Sequence, residues 1–515
     1  MLTSAPTAQL REALTAADFT VGAVGQLIGA EAQRALLRNQ SIPARRRTDD
    51  GSTLSTLTRL FTLQAPVSRA AADRALSGLV DAMSVAGMLE GSVGEVNARV
   101  DIRPYGDEDH DWWIVCDLTP GLDPSRTSGQ AGARRVDPEH VLGISEASSS
   151  LAQLTIRRDV GSALDLGTGC GVQALHLAGH ARTVVGTDVN PRALAMARLT
   201  AALNEVDIDF RDGSLFDPVR GETFDLIATN PPFVVSPATG ERLIYRDSGL
   251  PGDEVVRRVV ARAPAHLNPG GWCQILANWV HLKGETWQER VTGWLEPTGV
   301  DAWVLQREVA DLPTYVEMWL ADAGLQDAPD YLQRYDNWLS WFDDQGIEGI
   351  GFGWLCLNKA GRDKPALRLE EWPYEIEQPL GPHIAAWGDR MDALEGLGDD
   401  ALLGSRLHHA ADVIQETVGP VGARDPEHIV VRLQRGVRRA RPVDTVEAGL
   451  LGASDGELSV GRILDALATL LDSDAAAMRA TYVPRVRELL ADGFLTFCPN
   501  PSAVSECQGG DLTTS

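Results

Sequence analysis

Residues 162–237 read SALDLGTGCGVQALHLAGHARTVVGTDVNPRALAMARLTAALNEVDIDFRDGSLFDPVRGETFDLIATNPPFVVSP, and the order of apolar runs and turns in them decides the fold. A short strand carrying Ala163, Leu164 and Leu166 runs into Gly167-Thr168-Gly169-Cys170-Gly171. Glycines this close behind a strand let the main chain turn sharply and let a ligand lie against it with no side chain between. A helical run, Val172 to Ala178, follows, and a second strand, Thr183 to Gly186, ends in Asp188. Strand, glycine turn, helix, and a strand closing on a carboxylate form the arrangement that grips a ribose through its hydroxyls. The spacing is G-x-G-x-G, with Asp165 ahead of it and Val172 where a dinucleotide fingerprint has its third glycine. A helix N-terminus facing a pyrophosphate would suit NAD, but nothing else in the stretch argues for a phosphate.

Two further strand-like runs lie downstream. Asp207 to Phe210 leads to Asp212-Gly213-Ser214, and Phe224 to Thr229 ends at Asn230-Pro231-Pro232-Phe233. Ligands of open parallel sheets bind outside the carboxyl ends of the strands, so all four ends supply one crevice. On these motifs the sequence resembles the class I S-adenosylmethionine-dependent methyltransferases, in the branch that carries Asn-Pro-Pro-(Tyr/Phe). The run Asn230 to Pro237, with Gly249 to Val260 after it, is most similar to the release-factor glutamine methyltransferases of eukaryotic and archaeal type. Related rRNA and base N-methyltransferases stand next to them.

The resemblance implies an α/β fold with a Rossmann-like, seven-stranded sheet closed by an antiparallel last strand, and S-adenosylmethionine as cofactor. It places the methionine part at Asp165, Gly167 and Gly169, the ribose at Asp188, and the adenine edge at Asp212 and Gly213. Thr168, Gly171, Asn190 and Asn230 complete the cofactor set it implies. Phe233 stands where Tyr is usual, a departure commoner among base-modifying members, so the acceptor stays open between a glutamine and a base.

The chemistry follows from what Asn230-Pro231-Pro232-Phe233 offers. A planar amide or aromatic amine has a delocalised nitrogen lone pair and is a poor nucleophile. The Asn230 side-chain oxygen and the Pro231 carbonyl can each accept one N–H, which holds the nitrogen and favours the positive charge it develops. The prolines stiffen the backbone that carries these acceptors, and Phe233 offers a face to a planar group. Alignment of donor and acceptor supplies on the order of 7–11 kcal/mol of such a barrier. Asn-Pro-Pro alone also makes an ordinary tight turn, and only its place after the fourth strand gives it this meaning.

Outward from the centre, 515 residues at about 150 per domain suggest three domains. They are read as 1–135, helical and winged-helix-like; 136–375, the methyltransferase domain; and 376–515, a second helical, winged-helix-like domain. A net charge of −26 argues against a protein that coats nucleic acid non-specifically. Six scattered cysteines without a C-x-x-C pair, and ten histidines without ligand spacing, indicate neither a metal nor a disulfide framework. The polar N-terminus, charged at Arg11, does not read as a signal peptide, and no apolar run has membrane-spanning length, so a cytoplasmic protein is expected.

In the first domain Leu54, Leu57, Leu60 and Phe61 recur at helical spacing, as do Leu76, Leu79, Val80 and Met83 before Gly87. A hairpin is expected from Val96–Ile102 and Trp112–Leu118 around an acidic turn, Gly106 to Asp109, and Gly121–Arg135 reads as a linker. Ser148, Ser149 and Ser150 open an amphipathic segment that either caps a helix or closes over the cofactor. Leu312–Phe342, with Trp319, Tyr331, Tyr335, Trp338 and Trp341, is read as an insertion between the last two strands, its aromatic stripe either core or substrate wall.

Near the C-terminus, Ala491-Asp492-Gly493-Phe494-Leu495 echoes Val85-Ala86-Gly87-Met88-Leu89. His408 and His409 read as helix-surface or core residues rather than ligands, and Arg432, Arg435, Arg438, Arg439 and Arg441 form a basic cluster. That cluster is either a solvated face or a contact for RNA or an acidic partner. Three functions follow: methylation of a protein glutamine in a translation factor, methylation of an RNA or DNA base amine, or S-adenosylmethionine binding by a non-catalytic regulator.

Overall fold

The computed structural model describes residues 2–107, 110–120, 122, 137, 139–237, 250–421 and 426–498, and the chain divides into two units, Met1–Pro373 and Tyr374–Ser515. The first is built on one sheet of eight strands: β1 (Val160–Leu166), β2 (Ala181–Asp188), β3 (Asp209–Asp212), β4 (Phe224–Thr229), β5 (Leu267–Leu282), β6 (Asp301–Ala310), β7 (Ile347–Asn358) and β8 (Leu367–Glu371). Their order across the sheet is β8-β6-β7-β5-β4-β1-β2-β3. β1 pairs in parallel with β2 and β4, β2 with β3, and β4 with β5, whereas β7 runs antiparallel between β5 and β6. The Rossmann-like sheet is therefore present with its antiparallel closing strand. The eighth strand adds to the expected seven, pairing in parallel with β6 at the edge.

The inner strands are apolar almost throughout because helices cover both faces. Leu226, Ile227 and Ala228 of β4 and Leu164 and Leu166 of β1 are all buried. From β1 the chain steps outward to β2 and β3, then returns to the other side of β1 for β4 and β5. That reversal opens a crevice at the carboxyl ends of β1 and β4. The insertion between β6 and β7 consists of helices Leu312–Asp322 and Tyr331–Gln345. Tyr315, Trp319, Trp338 and Phe342 from it pack into the core beside Phe233, which takes the aromatic stripe as core.

In the N-terminal segment a helical run, Thr53–Thr62, precedes strand Val67–Ser68, helices Arg69–Ala75 and Val80–Val85, and strands Leu89–Ser92 and Glu95–Ala98. The last strand lies between the other two. The expected hairpin needs correction. Val96–Ile102 is two strands: Val96 to Ala98 belongs to this three-stranded sheet, while Asp101–Gly106 starts a separate hairpin with Asp111–Cys116. Glu108 and Asp109 of its turn, and nearly all of the Gly121–Arg135 linker, lie outside the described residues.

This hairpin docks on helix Pro191–Leu203, which follows β2. The free edge of Asp111–Cys116 is satisfied by side chains: Val115 N–H donates to Thr200 Oγ1 (3.0 Å), Trp113 N–H to Asn204 Oδ1 (2.9 Å), and Asn204 Nδ2 to the Trp113 carbonyl (2.9 Å). A sheet edge covered in this way is closed to other strands. One apolar core joins Phe19, Phe61, Met83 and Ile114 to Val172, Leu175, Met196, Leu199 and Leu203 of the central segment.

The second unit has its own core, from Leu402 to Leu495. Helix Thr445–Ala453, strand Asp455–Ser459, helices Val460–Leu470 and Ala475–Asp492 and strand Leu495–Phe497 repeat the element order of the N-terminal module. The middle strand of its sheet is Arg406–His409, which arrives from upstream. His408 and His409 thus lie on a strand, not on a helix, because backbone pairing to Leu495–Phe497 and Asp455–Ser459 overrides the local pattern. The arginine cluster is largely engaged inside the unit: Arg432 with Glu416, Arg438 with Glu375, Arg439 with Asp492, and Arg441 with Glu447, Glu488 and Asp492. Among the described residues no single helix is long and apolar enough to cross a membrane, and no group of three or more His, Cys, Asp or Glu could hold a metal ion.

Candidate functional site

The crevice at the strand ends is a cavity of about 490 Å³, within the range of small-molecule sites. Residues 166–170 line it from the end of β1, 187–191 from β2, 213–215 from β3 and 229–233 from β4. The first loop is held open by backbone geometry. Gly167 (φ 79°) and Gly169 (φ 55°) are left-handed, and a Cβ on either would meet no atom within 4 Å. Glycine is required there by conformation, and the space above the loop is free for a ligand.

The loop is fixed to β2: the N–H groups of Gly167 and Thr168 donate to the Thr187 carbonyl at 2.9 and 2.8 Å. Asp188 joins the two strand ends, accepting from Gly169 N–H through one oxygen and from Asn190 N–H through the other, both at 2.9 Å. Burial raises the pKa of Asp188, and those N–H bonds oppose the rise. Asn190 caps helix Pro191–Leu203, with Oδ1 accepting from Arg192 N–H at 2.9 Å. Its Nδ2 donates to the Glu139 carbonyl at 2.9 Å and so ties the 139–148 segment to the rim.

Asn230 follows β4, whose end is bound to β1 by Thr229 Oγ1 donating to the Leu166 carbonyl (2.7 Å). The Asn230 Oδ1 atom is buried and has no hydrogen-bond partner among the described residues. Buried acceptors are nearly always paired, and leaving one empty costs about 1–3 kcal/mol. Phe233 lines the cavity and meets Trp319 edge-on, with ring centroids 6.3 Å apart. Two residues on, Val235 N–H donates to the Tyr315 hydroxyl at 2.8 Å, so the insertion fixes the chain beyond Asn-Pro-Pro-Phe.

Of the expected site residues, Gly167, Thr168, Gly169, Asp188, Asn190, Gly213 and Asn230 to Phe233 share this cavity, whereas Asp165, Gly171 and Asp212 do not line it. Asp165 is buried behind the loop and accepts from Thr168 Oγ1 at 2.6 Å. Burial pushes its carboxyl up to about 7. Gly171 lets the next helix approach Ala197, 3.4 Å from where its Cβ would stand.

The cavity also takes Glu139–Gly143, Ser145, Ala147, Gln173 and Leu215, which the sequence motifs did not mark, together with Ser148, Ser214 and Arg258, which lay within quoted stretches but were given no site role of their own. One signal was legible for part of this wall. Ser145 and Ser148 form a capping box on helix Glu146–Leu154, and the serines of this segment were read either as a helix cap or as part of a cover over the cofactor.

Residues 143–294 match the methyltransferase small domain family, and residues 16–99 match a domain of unknown function. The methyltransferase match falls on the central segment. That segment is 36% identical over 124 residues to the release factor glutamine methyltransferase of Geobacter sulfurreducens, spanning 22% of this chain and 43% of that protein. It is 33% identical over 118 residues to the ribosomal RNA small subunit methyltransferase C of Alcanivorax borkumensis, spanning 23% and 32%. The chain thus spans under half the length of either relative. A solved structure of the T. thermophilus 16S rRNA N2 G1207 methyltransferase in complex with AdoMet and guanosine aligns at 16% identity and a TM-score of 0.27, over 48% of this chain and 64% of that one. Within the matched residues 143–294, the strand-end cavity is where the glycine loop, Asp188 and Asn230 meet.

Proposed function

We propose that the protein is an S-adenosylmethionine-dependent N-methyltransferase whose acceptor is the side-chain amide of a protein glutamine in a translation factor. The observation that carries this is the buried, unpartnered Oδ1 of Asn230 on the cavity wall. An acceptor fixed at a strand end and left empty is matched by an N–H donor brought in by a substrate.

The residues present fit the cofactor. The open, left-handed glycines leave main chain bare for a nucleoside-bearing ligand, and Asp188 is held by backbone N–H groups at the end of β2, where a ribose is bound in folds of this kind. When bound, S-adenosylmethionine supplies a sulfonium methyl group for in-line displacement. Asn230 Oδ1 and the Pro231 carbonyl hold the two N–H bonds of the acceptor amide and stabilise the charge on its nitrogen during transfer. Phe233, braced by Trp319, forms the apolar wall against which the planar group lies. The proton leaves after the methyl group arrives, so no strong base is required beside Asn230.

A second reading keeps this chemistry and changes the acceptor to an exocyclic amine of an RNA base. The phenylalanine at 233 favours it, since the ring presents an apolar face to a base with no hydroxyl. Incubation with methyl-labelled cofactor and either a release factor or ribosomal RNA separates the two. Label is expected on the protein and lost with Asn230→Ala. Label on RNA alone would overturn the glutamine reading. If cellular function survives Asn230→Ala while cofactor is still bound, the chain is a regulator and not an enzyme.

A further inference from the structure

Gln173 is the second residue of helix Val172–Ala178, directly behind the glycine loop, and it sits among buried neighbours on every side. Its side chain is only 6% exposed, yet it lines the cavity. The amide orientation is fixed by chemistry. Nε2 lies 2.6 Å from the Ser148 carbonyl, which can only accept, so the nitrogen must face it. That leaves Oε1, which is buried and has no partner among the described residues. A glutamine inside an apolar helix with half of its amide satisfied costs free energy in the empty protein, and a ligand donor at that point recovers it.

Asp165 is the carboxylate assigned by resemblance to the methionine part of the cofactor, but it does not line the cavity. It accepts from the Thr168 hydroxyl behind the loop instead. Asp188, at the next strand end, already accepts from two backbone N–H groups. Among the described residues that line the cavity on the β1 side, the buried side-chain acceptor without a partner is therefore Gln173 Oε1.

Resting on the cofactor reading above, we infer that Gln173 Oε1 accepts a hydrogen bond from the α-ammonium group of the methionine end of S-adenosylmethionine. Its position decides between the two N–H donors such a ligand carries. Gln173 follows the β1 loop, whereas the adenine amine is expected at the end of β3, by Gly213. Ser148 presets the amide, so the bond forms without loss of side-chain freedom. The same Ser148 contact links the ammonium site to helix Glu146–Leu154, so that helix is anchored by the residue that binds the cofactor.

Calorimetric titration of the full chain tests this without turnover. S-adenosylhomocysteine carries the amino acid, while methylthioadenosine keeps the adenosyl sulfide and lacks it. Gln173→Leu is expected to weaken S-adenosylhomocysteine about ten- to a hundredfold, the worth of a hydrogen bond to a charged group, and to leave methylthioadenosine unchanged. Gln173→Glu keeps an acceptor at the site and should restore most of the lost affinity, which also answers a folding defect in the leucine variant. Equal weakening of both ligands, or no weakening of either, overturns the inference while leaving the cofactor reading intact. If the unaltered chain gives no heat with either ligand, both fall together.

Discussion

The two ends of the chain carry the same succession of helix, strand, two helices and strand, and they use it in opposite ways. In both, a glycine in the left-handed region (Gly87 at φ 74° and Gly493 at φ 88°) stops the last helix, and the next two residues, Met88-Leu89 and Phe494-Leu495, are buried. The N-terminal module supplies all three of its strands locally but shares its core with the central segment. The C-terminal module borrows its middle strand from Arg406–His409, and its core runs from Leu402 to Leu495. Local topology is therefore a poor guide to independence. What decides it is where the apolar faces are buried.

The largest test of that contrast is deletion. Removing residues 1–98 strips the cover from Met196, Leu199 and Leu203, all nearly fully buried, and the remainder is expected to be insoluble or molten. Removing 374–515 is expected to leave a soluble protein that unfolds cooperatively and still binds cofactor, as followed by circular dichroism and calorimetry. A well-folded 99–515 fragment would refute the contrast.

Single core truncations are next in size. Leu199→Ala and Leu489→Ala each remove a buried leucine and should each cost about 2–5 kcal/mol in denaturant unfolding. Only the first should lower the transition at which cofactor binding is lost. If both lower it, the two units are one cooperative body.

A smaller effect comes from pH. The Asp165 carboxyl, raised by burial to about 7 from the model-peptide value of 3.8, stays protonated in the fold where the unfolded chain releases its proton. Its contribution to stability is full below pH 3.8 and is lost as pH rises through about 7. The Asp165→Asn variant keeps an acceptor for Thr168 without this loss, so its melting temperature relative to the parent should rise between pH 5 and 8. A constant difference across that range would show that the carboxyl is not perturbed. Smallest of all, Arg432→Ala breaks an exposed pair with Glu416, and thermal melts should not resolve the change. A large shift there would mean that the C-terminal unit leans on its surface charges.

The parts of the site that were legible in sequence are those fixed by local rules. The glycine run, the carboxylate at the end of β2 and Asn-Pro-Pro-Phe after β4 each depend on a few adjacent residues. The observed bounds of β4 and of helix Val172–Ala178 match the periodicity. The break at Arg99–Val100 was missed because alternation continues through it, and only pairing with Leu89–Ser92 on one side and Asp111–Cys116 on the other separates the strands. The arginines of 432–441 looked basic because most of their carboxylate partners are distant in sequence, at Glu375, Glu416, Glu488 and Asp492. Asp165 was read as a ligand because its place before the glycines does not reveal that Thr168 already occupies it.

By itself, the sequence determined the parallel sheet, its crevice and the residue types at the strand ends, because β-strand alternation, glycine turns and rigid prolines act over a few neighbouring residues. Tertiary structure alone decided which acceptors lack a partner among the described residues, which acids retreat behind the loop and which distant segments share a core. Those outcomes depend on burial and on partners brought together from far apart in the chain, where desolvation sets the cost of every polar group left unpaired.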